Sequence, residues 1–400
     1  MQRCQLCRSE EIEIVLDLGK HVCSSTLLDR QDEELQASDI ALGVCRACGL
    51  IQLMNPWPYR LLVPKYDWVV YREPEGHLDT LVDGLIEHCG LGPASIVAGV
   101  SLKDDTTLRR FADRGIGRTW RLDMATHLRV RADRAGPETL QHVLAADVLR
   151  ATIDAADHAD LVVVRHLLEH AEDLHRFLAA VSSMVRDGGH VVIEVPDCVA
   201  SLKRQDYTML WEEHTVYLTA RTLALVLDDH GFETVDLHQY PYRYENSLVL
   251  IARKTGTPTA DRYRIDAEEH RLALEYGREF GSWTRRYQEL FAGHAARGGI
   301  AFYGAGHLTA SFIAYHGLAE LTRFVVDDTP QKAGKYMPGT RVPIVGRSML
   351  AGSDVGLCLL GLSPESEDRV IAANGDFTGR GGIFRSILPG SARAIQSQLP

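Results

Sequence analysis

From His77 to Lys254 the sequence alternates between two periodicities, and no other feature constrains the fold as tightly. HLDTLVDGLIEHC repeats its apolar residues at helical spacing, Ser95 to Val100 is an apolar run of strand length, and TTLRRFADRG reads as a helix ending at Gly115. TWRLDM and ADLVVVRHLL supply the next strands, and DLHRFLAAVSSMVRDGG a helix closed by glycines. HVVIEVPD then runs as a strand into a loop, ARTLALVLDDHG is a helix, and SLVLIARK is the last strand. Near-continuous apolar strands are buried on both faces, so the pattern predicts an open, mostly parallel α/β sheet with helices on either side. Ligands of such sheets bind at the carboxyl ends of the strands, which puts the residues after Val100, Leu122, Val164 and Val195 in the crevice.

With 400 residues, 45% hydrophobic and 24% charged, the chain can bury two or three cores. A net charge of −11 without any Lys/Arg-rich run argues against a nucleic-acid partner. The start, MQRCQLCRSEE, has no long apolar region, and no apolar run reaches the ~18 residues of a membrane span, so a cytoplasmic, non-membrane protein is expected. Of the eight cysteines, Cys4 and Cys7, then Cys45 and Cys48, form two CxxC knuckles. Together they offer the tetrahedral thiolate set that zinc prefers; with four thiolates no position is open for water, so the role is structural. A redox or free-thiol pair is the alternative. Beyond them, NPWPYRLLVPKYDWVVYREPEG is broken by four prolines and reads as an irregular connector whose Tyr66, Trp68 and Tyr71 plug an interface or face a substrate.

The polar chemistry gathers at the predicted crevice. Asp123 stands 24 residues beyond Gly99, near the spacing at which a carboxylate grips a ribose. Arg165 and His166 follow one buried strand, with Glu169 and His170 close behind, and Glu194 to Asp197 follow the next. Farther on, Trp211-Glu212-Glu213-His214 sets two carboxylates before an imidazole. A carboxylate that holds one ring nitrogen leaves the other basic, so Glu213 and His214 can remove a proton beside a carbonyl near neutral pH. Adjacent residues need not face each other, and a solvated turn is the alternative.

The two CxxC pairs, the second in the form VCRACGLIQL, then RHLLEH, IEVPD, EEHTVYLTARTL and a late YGAG, FVVDD and KYMPGT, resemble over nearly the whole chain the deoxysugar C-methyltransferase family. The resemblance implies a small zinc-binding N-terminal domain, a Rossmann-type domain of the S-adenosylmethionine methyltransferases, and a second Rossmann-like domain at the C-terminus. It implies methylation of a ring carbon of a nucleotide-linked keto-deoxysugar, within deoxysugar and antibiotic biosynthesis. His214 matches the family's proton-abstracting histidine and Glu213 its acidic neighbour. His166 and His170 match a stretch with a histidine that faces the sugar, and Glu194 to Asp197 match a loop beside the pocket. Trp211 stands where a tyrosine is usual, Tyr66 and Trp68 match an aromatic pair, and Asn246 falls on the substrate side.

The cofactor turn departs from that pattern. Where the family has an acid and then Gly-Ser-Asn-Asp-Gly, this chain has Gly99, Val100, Ser101, Leu102, Lys103, Asp104 and Asp105. Gly99, Ser101, Asp104, Asp123 and Arg165 remain the candidates to hold S-adenosylmethionine. Asp105 brings a negative charge toward the methionine carboxylate, a repulsion of roughly 1 to 4 kcal/mol that Lys103 offsets in part. A family glycine there would let the backbone take positive φ. Past a polar break and a long helical run from about Ala267 to Ala296, Ile300 to Gly306 reads as a strand entering a glycine turn, with Asp327 after the next strand. By resemblance this lobe holds the nucleotide of the substrate, with Gly304, Gly306 and Asp327 in contact. The expected domains are 1–75, 76–255, a linker 256–298, and 299–400. Two other functions stay open: an epimerase or isomerase that keeps the base without the methyl donor, and a noncatalytic binding protein on the same scaffold.

Overall fold

The computed structural model describes residues 3–66, 73–130, 136–258, 263–295 and 298–399. Its first strands are β1 (Ile12–Val22), β2 (Ala37–Cys45) and β3 (Ile51–Leu53), followed by β4 (Ile96–Gly99), β5 (Arg118–Arg121), β6 (Ala159–Arg165) and β7 (Val185–Pro196). β8 (Val216–Tyr217), β9 (Phe232–Tyr240) and β10 (Ser247–Lys254) come next. Five more follow: β11 (Ile300–Tyr303), β12 (Thr322–Val326), β13 (Ile344–Val345), β14 (Leu357–Leu360) and β15 (Ile383–Ser386). The helices that matter below are α1 (Leu78–His88), α2 (Asp105–Asp113), α3 (Leu174–Met184), α4 (Ala220–Asp228), α5 (Ala267–Ala295) and α6 (His307–Tyr315). No helix among the described residues is long and apolar enough to cross a membrane. The chain gathers into two compact units: Met1–Glu13 with Gly43–Val199 and Glu213–His270, and Ile14–Leu42 with Ala200–Glu212 and Arg271–Pro400.

In the first unit six strands lie in the order β5-β4-β6-β7-β10-β9. β4, β5, β6 and β7 are parallel, as their apolar runs predict. Along β4, β6 and β7, alternate residues enter two different cores. Ala98, Val162, Val164 and Ile193 face one; Val97, Leu161, Val163 and Val192 face the other. Each of the valine, leucine and isoleucine side chains contributes about 1.5–3 kcal/mol when fully buried, which is why neither face tolerates a polar residue.

Two details differ from the sequence reading. β10 is antiparallel to both neighbours, forming a hairpin with β9, a strand that the pattern does not signal. β9 lies at the sheet edge and fully buries only Phe232, so it shows no apolar run. α3 also stops at Met184 rather than at the glycines: Val185 already pairs with Ala159, and Gly188 at φ +71° turns the chain within β7.

The second unit holds the parallel sheet β13-β12-β11-β14-β15. Its α5 packs against β1 so closely that a Cβ on Gly277 would lie 1.8 Å from the carbonyl oxygen of Val15, an approach only glycine permits.

Candidate active site

The turn after β4 keeps its shape without glycines. Ser101 caps the following 3-10 turn at φ −130°, extended backbone that any residue adopts, so the positive φ expected there is not required. Asp104 is fully buried and accepts the backbone N–H groups of Val100 (2.8 Å), Ser101 (2.7 Å) and Arg165 (2.9 Å). It therefore shapes the turn and does not face a ligand, which corrects its place among the cofactor contacts. Gly99 is needed for the same reason: a Cβ there would lie 2.9 Å from Asp104 Cβ and from Leu108 Cδ1.

The charges of the turn are balanced within the chain. Asp105 accepts from Arg121 Nε at 2.6 Å and Lys103 Nζ donates to Glu73 at 2.7 Å. Burial alone would lower the Lys103 pKa, but Glu73, Glu169 and, more weakly, Glu213 raise it above its ordinary value. Asp123 is exposed at the end of β5, where its Oδ1 accepts from the Thr126 amide and hydroxyl, both at 2.7 Å.

Arg165, Glu194 and His166 form one buried network with His77, a residue that sequence reasoning passed over because it merely opens an amphipathic helix. Arg165 donates to Glu194 (2.5 Å), to the Lys103 carbonyl (2.9 Å) and to the Pro74 carbonyl (3.2 Å). His166 Nε2 and His77 Nε2 each lie 3.2 Å from Glu194 Oε1. Burial would raise the Glu194 pKa, but hydrogen bonds from His166 and His77 and the nearby positive charge hold it well below the usual carboxylate range. His166 is the converse: burial disfavours its cation, yet Glu73, Glu169 and Glu194 push its pKa up to about 10. It stands at φ +46°, and its raised pKa keeps it an imidazolium at neutral pH, a hydrogen-bond donor rather than a base.

His170 and His214 are brought together by the segment between them. The amide of Thr215 donates to the Glu169 carbonyl (2.8 Å) and its hydroxyl to the Ala171 carbonyl (2.5 Å), pinning the loop after Glu213 to the 3-10 turn Leu168–His170. The rings of His170 and His214 then meet edge to face at 4.8 Å. Burial, then the neighbouring His214, Lys103 and His166, push the His170 pKa well below its ordinary value, so this ring is neutral. Glu213 is buried and its backbone bonds to His170, whereas His214 is only half-buried and reachable from solvent. From the other side β8 pairs with β3, and the Leu53 amide donates to the Thr215 carbonyl at 2.9 Å.

The remaining candidates are placed elsewhere. Asp197 accepts from Gln239 and from the Val199 amide, and its own amide donates to the Asn246 carbonyl at 3.0 Å. Tyr66 is half-buried beneath the Lys65 ammonium, and Trp68 lies outside the described residues. In the second unit Trp211 stacks on His307 at 4.3 Å. There the glycine turn is filled by the chain itself: Asp327 accepts the Ala305 amide (2.8 Å) and Lys332 bridges Asp327 and the Ala305 carbonyl, each at 2.9 Å. Gly304 needs its φ of +101°, whereas Gly306 has extended backbone. A cavity of about 760 Å³ in this unit opens instead beside His21, Ser24, Glu212, Tyr315 and Arg341.

The four knuckle cysteines converge. Cys4 Sγ lies 3.5 Å from Cys48 Sγ and Cys7 Sγ 3.5 Å from Cys45 Sγ, and all four sulfurs lie within 4.8 Å of one another.

Residues 93–237 match the family model of a methyltransferase domain, and residues 264–389 that of a C-methyltransferase C-terminal domain. Over 407 aligned residues the chain is 28% identical to the C-methyltransferase NovU of Streptomyces niveus, covering 97% of this chain and 96% of NovU. The chain thus carries a methyltransferase domain followed by a C-methyltransferase C-terminal domain, and it resembles a C-methyltransferase over nearly its whole length. Among solved structures, the chain aligns with 1,6-didemethyltoxoflavin-N1-methyltransferase of Burkholderia thailandensis at 17% identity and a TM-score of 0.31, over 45% of this chain and 79% of the other. It aligns with the N-methyltransferase NodS of Bradyrhizobium japonicum at 17% identity and a TM-score of 0.31, over 49% and 95%.

Proposed function

We propose that this protein methylates a ring carbon beside the carbonyl of a nucleotide-linked keto-deoxysugar, with His214 as the base. The observation that carries this reading is the His170–His214 pair: a buried, neutral ring holds the edge of a half-buried imidazole at the carboxyl side of the sheet. A neutral neighbour adds no positive charge against the proton that His214 accepts. The proton passes from carbon to an imidazole nitrogen, and the carbon's electron pair delocalises onto the carbonyl oxygen as an enolate.

S-adenosylmethionine fits the residues present. The glycine-free turn folds without strain, Asp105 is neutralised by Arg121, and Asp123 keeps one oxygen for a ribose hydroxyl. When bound it supplies the electrophilic methyl group. The four thiolates fit a structural zinc ion, since a tetrahedron with Zn–S of about 2.3 Å has edges of about 3.8 Å. Support for the sugar comes from the resemblance of the sequence motifs to the deoxysugar C-methyltransferases and from the parallel, Rossmann-like sheet of the second unit.

A second reading draws on the Lys103–Glu73 pair, which fills space beside the turn: the base acts without a methyl donor, as in an epimerase. A nucleotide-linked 4-keto-deoxysugar incubated in deuterium oxide separates the two. Methylation that needs S-adenosylmethionine supports the first reading; deuterium incorporation with no donor binding in calorimetry supports the second. His214→Ala should abolish both reactions, and unchanged turnover in that variant removes His214 from the mechanism.

A further inference from the structure

We infer that Lys103 is the counter-ion for the methionine carboxylate of S-adenosylmethionine, and that Glu73 occupies that ammonium in its place until the two carboxylates exchange. The inference rests on the cofactor reading above and deepens it by assigning a residue to one end of the ligand. Lys103 lies in the turn between β4 and α2, and its carbonyl accepts from Arg165 at 2.9 Å, which fixes the backbone. Its Nζ donates to Glu73 Oε1 at 2.7 Å. The two side chains are 19% and 22% exposed, so a ligand in the crevice can reach the pair. Burial would lower the Lys103 pKa, but Glu73, Glu169 and, more weakly, Glu213 keep it an ammonium. Burial would raise the Glu73 pKa, but His166, Lys103 and Arg165 bring it down to about 2, so the group is a carboxylate.

Two other cations flank the turn, and both are committed. Arg121 donates to Asp105 at 2.6 Å and to the Leu122 carbonyl, and the Arg165 side chain, only 3% exposed, is closed on Glu194. Lys103 differs because its partner has a second cation in reach. Glu73 Oε2 lies 3.8 Å from His166 Nδ1, a nitrogen that also faces Glu169 Oε1 at 3.7 Å, while His166 Nε2 is 3.2 Å from Glu194 Oε1. A carboxylate between two cations has two arrangements, one on Lys103 and one closed onto His166. When a second carboxylate takes Lys103, Glu73 keeps a cation and the ammonium keeps an anion, so neither charge is left buried without a partner.

The exchange moves only side-chain ends and leaves the turn as it is. Asp105, the acid next along the turn, does not oppose it, since Arg121 already neutralises that carboxylate. The apparent affinity for the cofactor is then reduced by the share of molecules in which Glu73 sits on Lys103.

The test measures binding of S-adenosylhomocysteine to the full chain by calorimetry. 5′-Methylthioadenosine, which keeps the adenosine and lacks the amino-acid end, is the control ligand. E73Q removes the competing charge and should tighten S-adenosylhomocysteine about tenfold, whereas K103M should weaken it about tenfold and K103R should keep it. 5′-Methylthioadenosine should bind wild type and all three variants alike, which also shows that each has folded. A purely structural pair behaves otherwise: E73Q and K103M then weaken both ligands together, and that result overturns the proposal. So does S-adenosylhomocysteine binding that neither E73Q nor K103M moves, an outcome that leaves the cofactor reading standing. If wild type binds neither ligand, the cofactor reading itself falls and this proposal falls with it.

Discussion

His166 makes a prediction whose sign and size both follow from the network around it. Its pKa rises from 6.5 in the unfolded chain to about 10 in the folded one, because Glu73, Glu169 and Glu194 outweigh burial. A group raised in this way contributes stability in full below its unfolded pKa, and that stability is lost as pH climbs through the folded value. At roughly 1.4 kcal/mol per pH unit, the window from 6.5 to about 10 corresponds to at most about 5 kcal/mol. The perturbation is His166→Asn, chosen because asparagine tolerates the left-handed backbone at φ +46° and cannot titrate. Urea unfolding of wild type and variant across pH 6 to 10 cancels in the difference the titrating groups that do not interact with His166. Wild type should be the more stable protein near pH 6, and its advantage should shrink steadily toward pH 10. A difference that stays flat across that window, or grows with pH, would refute the assignment of His166 as a buried cation.

Three further outcomes follow from the same geometry. Thr215→Val removes the hydroxyl bonds to Ala171 and Glu169 and should cost about 1–2 kcal/mol in urea unfolding, with kcat falling more than KM because the loop carrying His214 loosens; an unchanged kcat would sever that link. Gly99→Ala should cost about 1–3 kcal/mol, since its Cβ meets Asp104 and Leu108 at 2.9 Å; a neutral thermal melt would show that the turn can yield. Cys45→Ser should remove the sulfur-to-cobalt charge-transfer band of the Co²⁺-loaded protein and lower turnover by up to about a hundredfold, because β3, which follows that knuckle, holds the Thr215 carbonyl; activity that survives would make the metal irrelevant to catalysis.

Much of the candidate site was legible because it sits where strand chemistry demands. The apolar runs ending at Gly99, Arg165 and Pro196 mark buried parallel strands, and the polar residues just past them have nowhere else to go. What the pattern hides is partnership. Glu73 lies within the proline-rich connector and His77 opens an ordinary amphipathic helix, yet these two set the charge of Lys103, His166 and Glu194. His166 and His214 look equivalent as letters; carboxylates around the first make it a cation, and a neutral histidine beside the second leaves it the candidate base.

Local periodicity and spacing were enough to determine the layered α/β architecture and to mark the two cysteine knuckles and the polar strand ends, because each depends on side-chain order along a short segment. Contacts distant in sequence decided the rest. Ile14–Leu42 and Ala200–Glu212 join the C-terminal unit, β9 takes the sheet edge beside an antiparallel β10, and Asp104 turns inward to cap its own loop while Asp105 and Lys103 find Arg121 and Glu73. Protonation states belong to this second class: they depend on which charges the folded chain buries beside one another, and no local pattern carries that information.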